Sequence, residues 1–314
     1  MKVKLFLLVI FALSGLSSHT YAQPPEQKQK VRTVTIPISI FTKKELKESQ
    51  AEEYVQADRL IVKEDKDEQQ ILSIRSVTSS PLSIALVIQE DLASSFNLQI
   101  TDIKDFIRNL PQGTRVMVAY ARSGTIDVRQ RFTEDLSRAA NALRIVSGNS
   151  ALAPRSPYDS ISEVVKRFEG APAGRRAILL FSDGLDTNQG VDLASILQSF
   201  DLDQAILKAQ RKSVAVYSFY APTVITDKGD SSVVLASQGA LQKLSDETGG
   251  RSFFQGSIAP VTYLPFFKEM VLSLSRQFSL TYLSTHMKKG YYQVDVMSTN
   301  PEVKIDHPKG YYYR

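Results

Sequence analysis

Leu82-Ser-Ile-Ala-Leu-Val-Ile88, Arg115-Val-Met-Val-Ala-Tyr120 and Arg176-Ala-Ile-Leu-Leu-Phe181 decide the fold. Each is a short, nearly continuous apolar run, as expected of a strand buried on both faces rather than one with a wet side. Amphipathic stretches separate these runs. Residues 98–110 place apolar side chains at 98, 100, 103, 106, 107 and 110, and residues 134–146 and 158–168 also have helical spacing. A helix over 201–211 leads directly into another apolar strand at 213–219, and 126–132 alternates as a further strand. Residues 236–248 are helical and stop at Gly249-Gly250, a C-cap signature. A short strand at 251–254 and a helix over 260–276 close the series. The alternation from 80 to 276 predicts an α/β fold with a doubly wound, mostly parallel sheet.

Outside that core the apolar period falls to two. Val31-Arg-Thr-Val-Thr-Ile-Pro-Ile-Ser-Ile-Phe41 alternates as a half-buried strand, and Pro37 argues for an edge position. Lys43 to Glu53 is charged and helix-compatible. Arg59-Leu-Ile-Val-Lys63 and Gln70-Ile-Leu-Ser-Ile-Arg75 read as strands around a polar turn at 64–67. In the tail, Phe278-Ser-Leu-Thr-Tyr-Leu, Tyr291-Tyr-Gln-Val-Asp-Val-Met and Val303-Lys-Ile-Asp alternate likewise. Neither 31–79 nor 277–314 is large enough to stand alone, so the two are expected to share one small β-rich module. Tyr291-Tyr292 and Tyr311-Tyr312-Tyr313 place at least one ring on each sheet face. They are expected to staple that module to the α/β domain; the alternative is an exposed strip for partner contact.

The chain has 314 residues, no Cys, no Trp, and three histidines, His19, His286 and His307. Disulfides, thiolate metal sites and cysteine nucleophiles are therefore excluded, and histidine chemistry nearly so. The two later histidines are expected to face solvent at turns. No nucleophile elbow, Walker-type loop or Gly-x-Gly-x-x-Gly pattern occurs, which removes the common hydrolase and nucleotide-binding signatures. Residues 1–22 carry Lys2 and Lys4, an apolar run from Leu5 to Leu16, and a small residue at Ala22, the pattern of a signal peptide cut after Ala22. Residues 23–30 follow as a flexible lead-in. Removing the two lysines takes the count from 38 basic against 33 acidic to 36 against 33, a net +3. No run of five or six basic residues exists, so nucleic acid is not an expected partner. A secreted or periplasmic protein is expected, with no transmembrane segment after cleavage.

Sites in doubly wound sheets form where loops leave the carboxyl ends of the strands. Three loops matter: Gln89-Glu90-Asp91-Leu92-Ala93-Ser94-Ser95, the segment from Asn149 to Tyr158, and Ser182-Asp183-Gly184-Leu185-Asp186-Thr187. Here Ala85-Leu-Val-Ile before the first loop, Tyr158-Asp159-Ser160-Ile161 opening a helix, and Leu179 to Thr187 resemble a von Willebrand factor type A domain. The chain is more narrowly similar to secreted bacterial VWFA-related proteins, through Asp58 to Gln69 and the terminal Lys309-Gly310-Tyr311-Tyr312. The resemblance spans roughly 31–314 and implies a Rossmann-like fold of the von Willebrand A type.

It also implies a metal-ion-dependent adhesion site, in which oxygen ligands hold Mg²⁺ or Mn²⁺. Laid on this chain, its positions fall on Gln89, Asp91, Ala93, Arg155 and Asp183, and only Asp183 matches. Gln89 offers one neutral oxygen, Ala93 none, and Arg155 a permanent positive charge. The site is therefore read as vestigial, with no cofactor expected and Arg155 bridging the first- and third-loop carboxylates. A register-shifted Mg²⁺ or Mn²⁺ site on Asp91, Ser94, Ser95 and Asp183 is the alternative. The function expected is non-enzymatic binding or adhesion to an envelope or extracellular protein, through Glu90, Asp91, Arg155, Asp183 and Asp186. The alternatives are a secreted metal-dependent hydrolase using the acidic loops and a structural part of an envelope assembly.

Overall fold

The computed structural model describes residues 30–42, 60–77, 80–122, 125–149, 153, 156–171, 174–188, 199–223, 226, 231–256, 258 and 260–313. The expected leader, the lead-in to residue 29 and the charged stretch from Lys43 to Glu53 lie outside the described residues. The apolar runs form the middle of a six-stranded sheet, whose strands are β4 (Leu82–Gln89), β5 (Arg115–Arg122), β6 (Thr125–Thr133), β7 (Arg175–Ser182), β8 (Val214–Tyr220) and β9 (Ser252–Phe253). Their order is β6-β5-β4-β7-β8-β9, with every pair parallel except β5 and β6. Leu86, Val118, Leu179 and Val216 are fully buried, as strands covered on both faces require.

Helices α1 (Ile100–Arg108), α2 (Leu136–Asn141) and α6 (Leu264–Ser275) pack on one face; α3 (Pro157–Arg167), α4 (Phe200–Arg211) and α5 (Ser231–Thr248) pack on the other. Phe181 and Phe219 stack at 4.8 Å beneath Tyr263, Phe267 and Phe96. Fully burying one such ring contributes roughly 1.5–3 kcal/mol, so this face alone holds much of the domain's stability. The sequence expectation of a helix over 134–146 is too long. After Asn141 the chain leaves the helix, because Tyr120 Oη and the Asn97 amide bond the backbone of Arg144 and Val146 instead.

The second sheet interleaves both ends of the chain. Its strands are β1 (Arg32–Thr42), β2 (Leu60–Glu64), β3 (Asp67–Ser76), β10 (Gln277–Ser284), β11 (Gly290–Ser298), β12 (Val303–Asp306) and β13 (Gly310–Tyr313). They run in the order β12-β1-β10-β3-β2-β11-β13, with all pairs antiparallel. β2 and β3 meet at Asp65 and Lys66, both at positive φ (47° and 77°), the backbone that a tight two-residue hairpin needs. β1 is not an edge strand, contrary to the reading of Pro37. β12 covers only Ser39–Thr42, so Pro37 sits opposite Ser279 of β10 with no strand of the described residues on its other side, where a missing N–H costs little.

The two sheets belong to one compact unit, Val31–Arg314. Arg251 joins them through Asp306 (2.6 Å) and lies over the Phe41 ring, and Arg211 of α4 lies 4.4 Å over Tyr312. Tyr312 is thus a staple of the expected kind. Tyr292, Tyr311 and Tyr313 instead surround Arg32, which also reaches the buried Glu64. Tyr291 remains 43% exposed.

His307 departs from its expected solvent-facing place, being 3% exposed. Its Nε2 accepts the Val296 N–H (3.2 Å) and lies 3.3 Å from Lys309 Nζ, while Nδ1 meets the Pro308 carbonyl. Burial first, then Lys309, pushes its pKa down to about 4 from 6.5. The unfolded chain therefore binds a proton that the fold does not, and stability is lost as pH falls from 6.5 toward 4. In His307→Gln the amide oxygen replaces Nε2 as acceptor. Its thermal midpoint should fall less than the wild type's between pH 6.5 and 4; parallel declines would refute the assignment.

Candidate functional site

The strand order reverses beside β4, whose neighbours are β5 and β7, so the crevice expected of this topology opens where Gln89 ends β4 and Ser182 ends β7. Gln89 is 3% exposed, and its amide nitrogen donates to both Asp91 Oδ1 (3.0 Å) and Asp183 Oδ1 (3.2 Å). Its oxygen accepts the Ser182 hydroxyl, which in turn accepts the Gly184 N–H. Asp183 also takes the Leu185 N–H (3.0 Å) and the Thr223 hydroxyl (2.8 Å), with Thr226 at 3.4 Å. A single amide thus holds two buried carboxylates together, reaching Asp183 from 94 residues earlier in the sequence.

The backbone of the third loop is forced by its neighbours. Gly184 adopts φ +76°, and a Cβ there would lie 2.6 Å from both the Ser237 carbonyl and Leu241 Cγ. Its own carbonyl accepts the Tyr158 hydroxyl at 2.8 Å, so α3 pins the loop. Burial drives the Tyr158 phenol well above its ordinary range, with the Asp186 and Asp183 charges adding to it. Asp186 accepts from Asn188 N–H and from Ser199, which caps α4 through Leu202 N–H. On the other flank Arg144 grips Glu90 with both nitrogens (2.8 and 2.6 Å) and stacks 4.2 Å over Tyr120.

The structure brings together four of the sequence-derived positions, Gln89, Asp91, Ala93 and Asp183; Arg155 lies outside the described residues. Among the described residues, the bridge expected of that arginine is made by Gln89. Glu90, Asp91, Asp183 and Asp186 are each 3% exposed or less, so as contact residues their side chains face inward, not outward. Sequence reading missed Thr223 and Thr226, and gave Ser182, the first residue of the third loop, no role. Thr223 follows the apolar strand β8 at the same end of the sheet, which was the available signal. Arg144 gave none, since its segment reads as helix.

Among the described residues, the oxygens as placed do not fit a hard divalent cation. The space between the two carboxylates is taken by an N–H donor, Ala93 has no ligand atom, and Ser94 and Ser95 are exposed. Among the described residues, no group of three or more acidic or histidine side chains has metal-holding geometry.

The chain matches no family model and no curated protein. Solved structures similar to it include an aerotolerance-related membrane protein from Bacteroides fragilis, 13% identical over 62% of this chain and 98% of that one, with a TM-score of 0.43. BatB from Bacteroides thetaiotaomicron is 14% identical over 62% and 96%, at 0.44. A von Willebrand factor type A protein from Catenulispora acidiphila is 11% identical over 82% and 74%, at 0.44. At such identities the likeness to von Willebrand A domains is one of fold alone.

Burial raises the Asp183 carboxyl to about 6, with the Asp91 charge adding to it, and Asp91 itself is raised by burial. A raised acid favours the fold below its unfolded pKa of 3.8, and that contribution is lost as pH rises through 6. Asp183→Asn removes the titration while keeping the acceptor for Leu185. The variant should gain on the wild type by about 2 kcal/mol between pH 4 and pH 7.5 in chemical denaturation. A pH-independent difference would contradict the assignment.

Proposed function

We propose that this chain is an exported, non-enzymatic binding protein that recognises another protein, without a metal, through the carboxyl-end loops of its parallel sheet. The observation that carries the reading is the division of that end into an inner and an outer layer. Inside, buried carboxylates and hydroxyls bond one another and the Gln89 amide, turned away from solvent. Outside, a short helical segment, Ser94–Gln99, carries exposed Leu98 (80%). Hydrogen bonds tie its flanks to Val146 and Val261, next to exposed Ile145 (69%) and Val261 (83%). Large apolar side chains gathered on one rim, held by a rigid polar base, suit protein contact better than chemistry.

Glu90, Asp91, Asp183 and Asp186 then act as the frame that presents these side chains, and Arg155 remains a candidate contact. Among the described residues no helix is long and apolar enough to cross a membrane. A photo-crosslinking side chain at Leu98, Ile145 or Val261, irradiated in native envelope extracts, should give a shared protein adduct. The same group at Leu72, exposed on the antiparallel sheet, should not. No adduct at any rim position, or the same adduct at Leu72, would overturn the proposal.

A further inference from the structure

A cavity of about 240 Å³ lies at the opposite pole, between the amino ends of β7 and β8 and the strands β1 and β10. Its walls have two characters. Ile36, Pro37, Val77, Ala215 and Phe278 are apolar, while Arg175, Arg176, Thr35, Ser80, Ser213 and Ser279 are polar. No Asp or Glu stands among the described lining residues, so the wall is positive. Arg175 is fixed in place by the carbonyls of Ser80 and Leu274. Arg176 reaches the Lys212 carbonyl with one terminal nitrogen, but its Nε is buried without a hydrogen-bond partner. Gln277, 6% exposed, also lines the cavity, and its Oε1 has no partner either. Buried polar groups of this kind cost free energy until something bonds them.

We propose that this seam cavity binds a small organic anion, with its oxyanion against Arg176 and the Gln277 amide and its apolar body against Ile36, Pro37 and Phe278. A guanidinium presents parallel donors to a carboxylate, and a glutamine amide turns its NH₂ toward an anion at little cost. The volume is below the roughly 300–1,000 Å³ of pockets that take drug-sized ligands, which sets the ligand at fragment size. Ser213 adds a second observation. It holds φ +51°, which glycine adopts more cheaply, yet the residue lining the cavity there is a serine. A bound anion would touch both sheets and clamp the seam between them. The site is remote from the carboxyl-end loops and does not depend on their reading.

Hexanoate, acetate and the neutral hexanamide, titrated calorimetrically into the purified full chain, test the assignment. Hexanoate should bind saturably with a Kd of about 1 mM and raise the thermal midpoint, whereas hexanamide and acetate should bind at least roughly tenfold more weakly. Arg176→Gln should weaken hexanoate by a similar factor. Gln277→Glu, nearly isosteric, places a carboxylate beside the arginines and should abolish binding while keeping or raising the midpoint of the free protein. Absence of hexanoate heat at about 10 mM, equal binding of hexanamide, or unchanged binding by the folded Gln277→Glu chain would overturn the proposal.

Discussion

Two carboxylates buried side by side at the end of a parallel sheet must be neutralised, protonated or hydrogen-bonded, because a bare charge in that environment is costly. Here the constraint falls on Gln89. Its amide nitrogen faces Asp91 and Asp183 and its oxygen faces Ser182, so one neutral side chain satisfies groups from the ends of both β4 and β7. Thr223, just beyond β8, completes the set. Three neighbouring strands are thereby locked at their carboxyl ends, and the loops that leave them inherit fixed starting points. A cation would do the same work by charge; the amide does it with directed donors and leaves the carboxyls raised in pKa.

The remainder of this end follows from that lock. With those polar groups turned inward, Leu98, Ile145 and Val261 are exposed among the described residues at this end. The opposite pole has the reverse character. There the α/β core meets the antiparallel sheet through arginines and hydroxyls around a small cavity. Arg251 with Asp306, and Arg211 over Tyr312, complete the seam with directional contacts.

Much of the fold was legible because burial on both faces leaves a local trace. Ala85 to Ile88 and Ala177 to Phe181 are fully buried, and their unbroken apolar runs state as much. The hairpin of β2 and β3 was legible from its polar turn for the same local reason. Strand order in the second sheet was not, since alternation specifies a face and not a neighbour. Nothing in Val31 to Phe41 says that β10, some 240 residues later, lies beside it. At the site, Asp183 and Gln89 were legible from their places after apolar strands. The grip of Arg144 on Glu90 and the Gln89 bridge were not, because both are set by packing between distant segments.

The most direct test of the account is the thermal midpoint of the purified chain, measured with a chelator and then with excess Mg²⁺ or Mn²⁺. If the Gln89 amide already satisfies Asp91 and Asp183, the midpoint is the same in both conditions. A rise with either ion that the chelator reverses would place a cation between those carboxylates and contradict the account.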